Sequence, residues 1–172
     1  GVVVMKIFQG FRGFRIFVFL AMAAVVCVSP AQAAIWSGNG HDYLIIYATN
    51  PIDNFAEAQT YLPEGYFLAD ITSGGENDFI KQQIGAAENT DGYSRGYVLG
   101  ALRSGDVWSW TNPGNPSPDF WNTDTGTAIG GAFTNWQSGE PSGDAGALLT
   151  MWGATLPSGA SRSQWGFWND EA

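Results

Sequence analysis

The sequence predicts an α+β domain, and three observations predict it. Two segments in the first half carry apolar residues at helical spacing. The second half alternates short apolar pieces with Gly, Pro, Asn, Asp and Ser. Within that second half, more than 30 residues from Thr111 to Asp144 follow no period. A chain of 172 residues with 45% apolar and 15% aromatic content is one compact domain, long enough to bury a core.

Tyr43-Leu44-Ile45-Ile46-Tyr47 is β-branched and aromatic, and reads as the first strand of that domain. Asn50-Pro51 then suits a helix start, with Pro at the first helical position and Asp53 in the first turn. Phe55, Ala58 and Leu62 recur three and four residues apart, so helix one ends near Pro63-Glu64-Gly65. Tyr66 to Ile71 reads as a second strand. Ser73-Gly74-Gly75-Glu76 is a capping box, in which hydroxyl and carboxylate each satisfy a backbone N–H of the first turn. Helix two follows to about Ile84, with Phe79, Ile80 and Ile84 inward. Beyond Gly85 the expected strands are Tyr97 to Leu102, Val107 to Trp110, Ala147 to Trp152 and Gln164 to Trp168. A long patternless stretch inside a compact domain is usually a functional loop, so Thr111 to Asp144 is where binding is expected.

Ahead of the domain, residues 5–34 have the three zones of a signal peptide. Lys6, Arg12 and Arg15 form a basic stretch, Ile16 to Val28 an apolar run of about 13 residues, and Ala31-Gln32-Ala33-Ala34 a small-residue cleavage site. The run is short of the ~20 residues a membrane-crossing helix needs, so no transmembrane segment is expected after cleavage. Gly1 to Val4 read as an over-extended start, and residues 35–172 as the exported domain, secreted, extracellular or periplasmic. Cys27 lies in the leader, so disulfides and thiolate chemistry are excluded from that domain, and aromatic burial, with or without a metal, must stabilise it. The chain stops at Asp170-Glu171-Ala172 without a closing turn, as a C-terminally incomplete domain would.

Past residue 34, four basic residues (Lys81, Arg95, Arg103, Arg162) face all sixteen acidic ones, a net charge of −12. Nucleic acid is excluded as a partner, because phosphate binding needs clustered Lys and Arg. Catalysis is not expected either. No pair of carboxylates is arranged as a raised-pKa acid facing a nucleophile, and the lone His41 stands apart from any nucleophile elbow. His41 reads as a surface residue, without the companions a zinc site needs.

Several signatures, in order over residues 41–171, resemble the C-type lectin-like domain, a secreted α+β fold with two helices, small antiparallel sheets and a long structured loop. Tyr66-Phe67-Leu68-Ala69-Asp70-Ile71 with Ser73 and Glu76-Asn77-Asp78-Phe79-Ile80 resembles the family's passage between its helices. Tyr97-Val98-Leu99-Gly100 resembles its Trp-Ile-Gly-Leu strand, and Val107-Trp108-Ser109-Trp110 its Trp-x-Trp strand. Asn135-Trp136-x-x-Gly139-Glu140-Pro141-Ser142 is similar to Asn-Trp-x-x-Gly-Glu-Pro-Asn, and Trp168-Asn169-Asp170 to Trp-Asn-Asp.

The resemblance implies a non-catalytic recognition module that binds carbohydrate through the long loop with calcium assistance. Calcium would be held by Glu140, Asn169 and Asp170, with Asp144 compensating from the same loop, and Pro141 would follow a cis peptide bond. Sugar hydroxyls would be met by Glu140, Ser142, Asn169 and Asp170, and Trp121 would stack on a ring face. Two positions depart from the pattern: Ser142 replaces an Asn, and Gly146 stands where a Glu is usual. An auxiliary site is conceivable at Asp119, Asn122 and Asp124, with a solvated acidic turn as the plainer reading. Trp108, Trp110, Trp136, Trp165 and Trp168 read as packing, whereas Phe120 and Trp121 fall in the unpatterned loop. The altered ligand positions keep a second function open, a metal-independent protein-binding or adhesion module.

Overall fold

The computed structural model describes residues 2–6, 34–48, 52–88, 96–115, 118–142, 147–154 and 163–171. The leader's apolar run, the Asn50-Pro51 helix start, Asp144 and Gly146 lie outside the described residues. In chain order the elements are β1 (Val2–Lys6), β2 (Ala34–Ile35), β3 (Asp42–Tyr47), α1 (Phe55–Thr60), β4 (Phe67–Leu68), α2 (Gly74–Glu88), β5 (Gly96–Val98) and β6 (Ala101–Ser104). They continue with β7 (Val107–Trp110), β8 (Asp119–Asn122), β9 (Thr127–Ala128), β10 (Leu148–Trp152) and β11 (Trp168–Glu171).

This inventory corrects the expected fold class. Strands dominate: a seven-stranded sheet runs β11-β10-β5-β1-β3-β2 with β4 paired to β1, and a second sheet runs β6-β7-β8-β9. Against them, among the described residues, stand two helices of 6 and 15 residues. The chain is mostly β and sandwich-like, not the α+β fold of the C-type lectin-like domain. Two segments account for the shift. The stretch expected to be patternless contains β8 and β9, which extend β7 into a meander. Val2–Lys6, read as an over-extended start up to Val4 and as the beginning of the leader from Met5, forms a strand parallel to β3 and antiparallel to β5.

The helices follow from local chemistry. Asn54 caps α1, its side chain accepting from the Glu57 N–H at 2.9 Å while Glu57 Oε2 accepts from the Asp53 N–H at 3.0 Å. The helix therefore begins at Phe55, later than the Asn50-Pro51 start expected from sequence. In α2 the Ser73 hydroxyl accepts from the Glu76 N–H at 3.2 Å, half of the expected capping box. Glu76 does not return the bond to Ser73. Its carboxylate accepts from the Thr72 N–H at 2.8 Å, the Thr72 hydroxyl, Asn39 Nδ2 and the Tyr43 hydroxyl.

One expected strand, Tyr97 to Leu102, divides at Gly100 between the two sheets. Leu99 N–H bonds to Leu149 O at 2.8 Å, and Gly100 N–H turns to Ala69 O at 2.8 Å. A Cβ at Gly100 would run into the Leu68 carbonyl, so only glycine lets these backbones approach. Strand alternation then separates two cores. Tyr97, Leu99, Leu149 and Met151 face α2 and the smaller sheet, which supplies Trp108, Trp110 and Phe120. Val98 and Leu148 face the other way, with Phe55 and Ala58 of α1. The main core is an aromatic assembly. Trp110 and Phe120 stack at 4.4 Å between centroids, and Trp168 meets both edge-on at 5.6 and 6.0 Å.

Candidate functional site

The expected site depends on two distant stretches meeting, and they do meet. The arm 135–142 is bound to β11 along its length. Trp168 N–H donates to Asn135 O at 2.8 Å, Gln137 N–H to Trp168 O at 2.8 Å, and Trp136 forms a parallel bridge with Trp168. Gln137 is held from the other side by the Trp152 indole N–H at 2.6 Å. At the far end of the arm, the Ser142 N–H donates to Asp170 Oδ1 at 2.9 Å. Gly139 adopts a φ of 94°, which a side chain would resist, and the Glu140–Pro141 peptide bond is cis.

Within this site Asn169 and Asp170 are buried, at 9% and 7% exposure. Asn169 donates through Nδ2 to Asp170 O at 3.3 Å and to Glu171 Oε1 at 2.9 Å, so its oxygen is the atom left for a cation. Glu140 is half-buried, and its Oε2 is enclosed without a hydrogen-bond partner. An orphaned carboxylate oxygen fits calcium in donor type. In number the side chains fall short. Among the described residues no three His, Cys, Asp or Glu side chains cluster as a metal-holding group. Main-chain carbonyls, water and ligand hydroxyls would have to complete the six to eight oxygens calcium takes.

Other expected contributors lie elsewhere. Trp121 is corrected: it is no loop-tip residue but sits on β8 opposite Trp108, half-buried, 6.0 Å from the Trp136 ring. Phe120 is wholly buried in the aromatic core. Asp119 Oδ1 accepts from the Ser109 hydroxyl at 2.7 Å, and Asn122 Oδ1 from the Thr125 N–H at 2.9 Å, so the auxiliary acidic run builds a hairpin turn. Trp108, Trp110 and Trp168 are core residues, as expected, and His41 is exposed. Asp144 belongs to residues outside the description.

The structure also assembles a polar hollow that the sequence did not suggest. A space of about 260 Å³ is lined by His41, Asp70, Thr72, Glu76, Asn112, Gly114 and Asn115. Asp70, 9% exposed, accepts from Asn115 Nδ2 at 3.2 Å through Oδ2, while Oδ1 is buried without a partner. Burial pushes the Asp70 carboxyl up to about 7, opposed by Asn115 and assisted by the negative Glu76. An acid inside the apolar run Tyr66 to Ile71 was the one signal available in the sequence.

Comparison with known proteins finds no matching family model, no matching curated protein and no matching solved structure.

Proposed function

We propose that this chain is an exported, non-catalytic recognition module that binds carbohydrate where the arm 135–142 meets β11, with calcium assistance. Its ligand is a glycan presenting two neighbouring hydroxyls, the geometry a loop-held cation and its carboxylates can grip together. Glu140 and Asp170 supply charge, Asn169 an amide oxygen, and the Ser142 hydroxyl a further polar contact. The observation that carries this reading is the bond from Ser142 N–H to Asp170 Oδ1, which brings the end of the 135–142 arm onto β11, while Glu140 Oε2 in the same arm has no hydrogen-bond partner. The similarity of Gly139-Glu140-Pro141 and Trp168-Asn169-Asp170 to C-type lectin loop signatures supports it as well. Among the described residues no helix is long and apolar enough to cross a membrane.

A calcium titration of the melting temperature tests the proposal, since a ligand bound only by the folded state stabilises by RT ln(1 + [L]/Kd). Millimolar calcium is expected to raise the melting temperature of the wild-type chain and to leave Glu140→Gln unmoved, and a glycan array is expected to show binding that a chelator removes. Glycan binding that survives the chelator would remove calcium from the proposal. Absence of both the thermal shift and glycan binding would overturn it in favour of a protein-binding role.

A further inference from the structure

The polar hollow around Asp70 adjoins a second one that is mainly apolar. The second, about 450 Å³, is lined by Trp110, Phe120, Phe133, Ile129 and Gly130 to Ala132, and shares Thr72 and Asn115 with the first. An apolar body with a few convergent polar groups at one end is the general form of a small-molecule site.

The polar end is short of positive charge. Among the described residues no Lys or Arg lines either hollow. Arg103 is engaged by Gly105 O and Asp106, and Lys81 lies over the Trp165 ring. Two nearly buried acidic side chains face this end, and their states differ. Glu76 Oε1 receives Tyr43 and Asn39, and Glu76 Oε2 receives Thr72 twice, so its acceptor positions are filled. Asp70 Oδ1 receives nothing. A buried acceptor left open costs free energy that a ligand donor would recover. Gly100 stands close to this carboxyl, where a Cβ would lie 2.9 Å from Oδ1.

A divalent metal is a poor match, because it needs many oxygens and Glu76 has none to spare. An ammonium group needs only one or two acceptors and brings both charge and donors. We infer that these two hollows form one site for a small organic ammonium with an apolar body, its head donating to Asp70 Oδ1 and its body lying along Ile129 and Phe133. The site is separate from the Glu140–Asp170 region and stands independently of the carbohydrate proposal. Binding holds Asp70 ionised and thus releases a proton wherever the empty site would be protonated. Affinity therefore falls as pH drops below about 7. Among the described residues the titratable groups facing Asp70 are Glu76 on α2, Tyr43 on β3 and His41 ahead of it. Glu76 lines the same hollow and, as an acidic side chain, favours a cationic head.

The test is calorimetric titration of the full chain at neutral to alkaline pH with phenethylammonium, its neutral counterpart 2-phenylethanol, and calcium chloride. Phenethylammonium is expected to bind at least tenfold more tightly than the alcohol, and Asp70→Asn to remove that advantage. Ile129→Ala is expected to weaken the amine and the alcohol alike, and gives an independent readout should Asp70→Asn fold poorly. Equal binding of amine and alcohol, no binding of the amine at millimolar concentration, or calcium binding that Asp70→Asn abolishes would each overturn the inference.

Discussion

The indole N–H of Trp168 donates to Asn77 Oδ1 at 2.9 Å, both groups being buried, and so joins β11 to α2 across 91 residues of sequence. Asn77 turns its Nδ2 to Gly166 O at 3.3 Å, so a single side chain satisfies an indole and a turn carbonyl at once. This pairing sets the position of the strand that carries Asn169 and Asp170.

Asn77→Ala leaves the Trp168 N–H and the Gly166 carbonyl without their partner inside the core. The expected loss is about 1–3 kcal/mol of stability, read as a lowered urea midpoint with an unchanged slope. Because β11 loses its anchor to α2, calcium- or glycan-dependent stabilisation is expected to weaken in the same variant.

Phe120→Ala removes a ring that is wholly buried between Trp110, Trp136 and Trp168. A cavity in this aromatic assembly is expected to cost about 3–5 kcal/mol, measured by denaturant unfolding. A loss under about 1 kcal/mol would mean that Phe120 belongs to an unpacked loop, as the patternless sequence around it suggested, and not to the core.

Gly100→Ala tests the close approach of three backbone segments. The added methyl meets the Leu68 carbonyl, a backbone group that cannot swing aside, and lies 2.9 Å from Asp70 Oδ1. Overpacking of this kind is expected to cost about 1–3 kcal/mol, seen as a lower melting temperature.

Asp70 gives stability a pH dependence of definite sign. Its folded-state carboxyl titrates at about 7 against an ordinary 3.8, mainly because burial penalises the ionised form. Between these values the folded protein holds a proton the unfolded chain has released, so this group's contribution to stability falls as pH rises from about 4 to about 7. The penalty is complete above that range. Asp70→Asn stays neutral throughout, and its urea midpoint is expected to change less than that of the wild type between about pH 4.5 and about pH 7.5. A pH dependence unchanged in Asp70→Asn would overturn its assignment to Asp70.

Much of the local structure was written in short-range patterns. Phe55 and Ala58 at helical spacing, the Ser73 hydroxyl three residues before Glu76, and the aromatic run of β7 depend on neighbours in sequence, and each appears in the structure. The boundaries and the class were not so written. Asp119-Phe120-Trp121-Asn122 is too short and too polar at its ends to declare a strand, and becomes one because β7 offers it an edge. The same meander decides that Trp121 is half-buried and Phe120 wholly so.

By itself, then, the sequence determined composition: an acidic chain with one cysteine, rich in aromatics, with oxygen-bearing side chains at Glu140, Asn169 and Asp170. Only the tertiary structure decided proximity. It set Asp170 against the Ser142 N–H and left Glu140 Oε2 enclosed, and it turned Asp70, an acid in an apolar run, into the floor of a hollow with one oxygen unpaired. The physical reason is that helical period, capping and turns are settled over a few residues. Whether a buried polar atom finds a partner depends on segments that are remote in sequence and are brought together by burial of a common core.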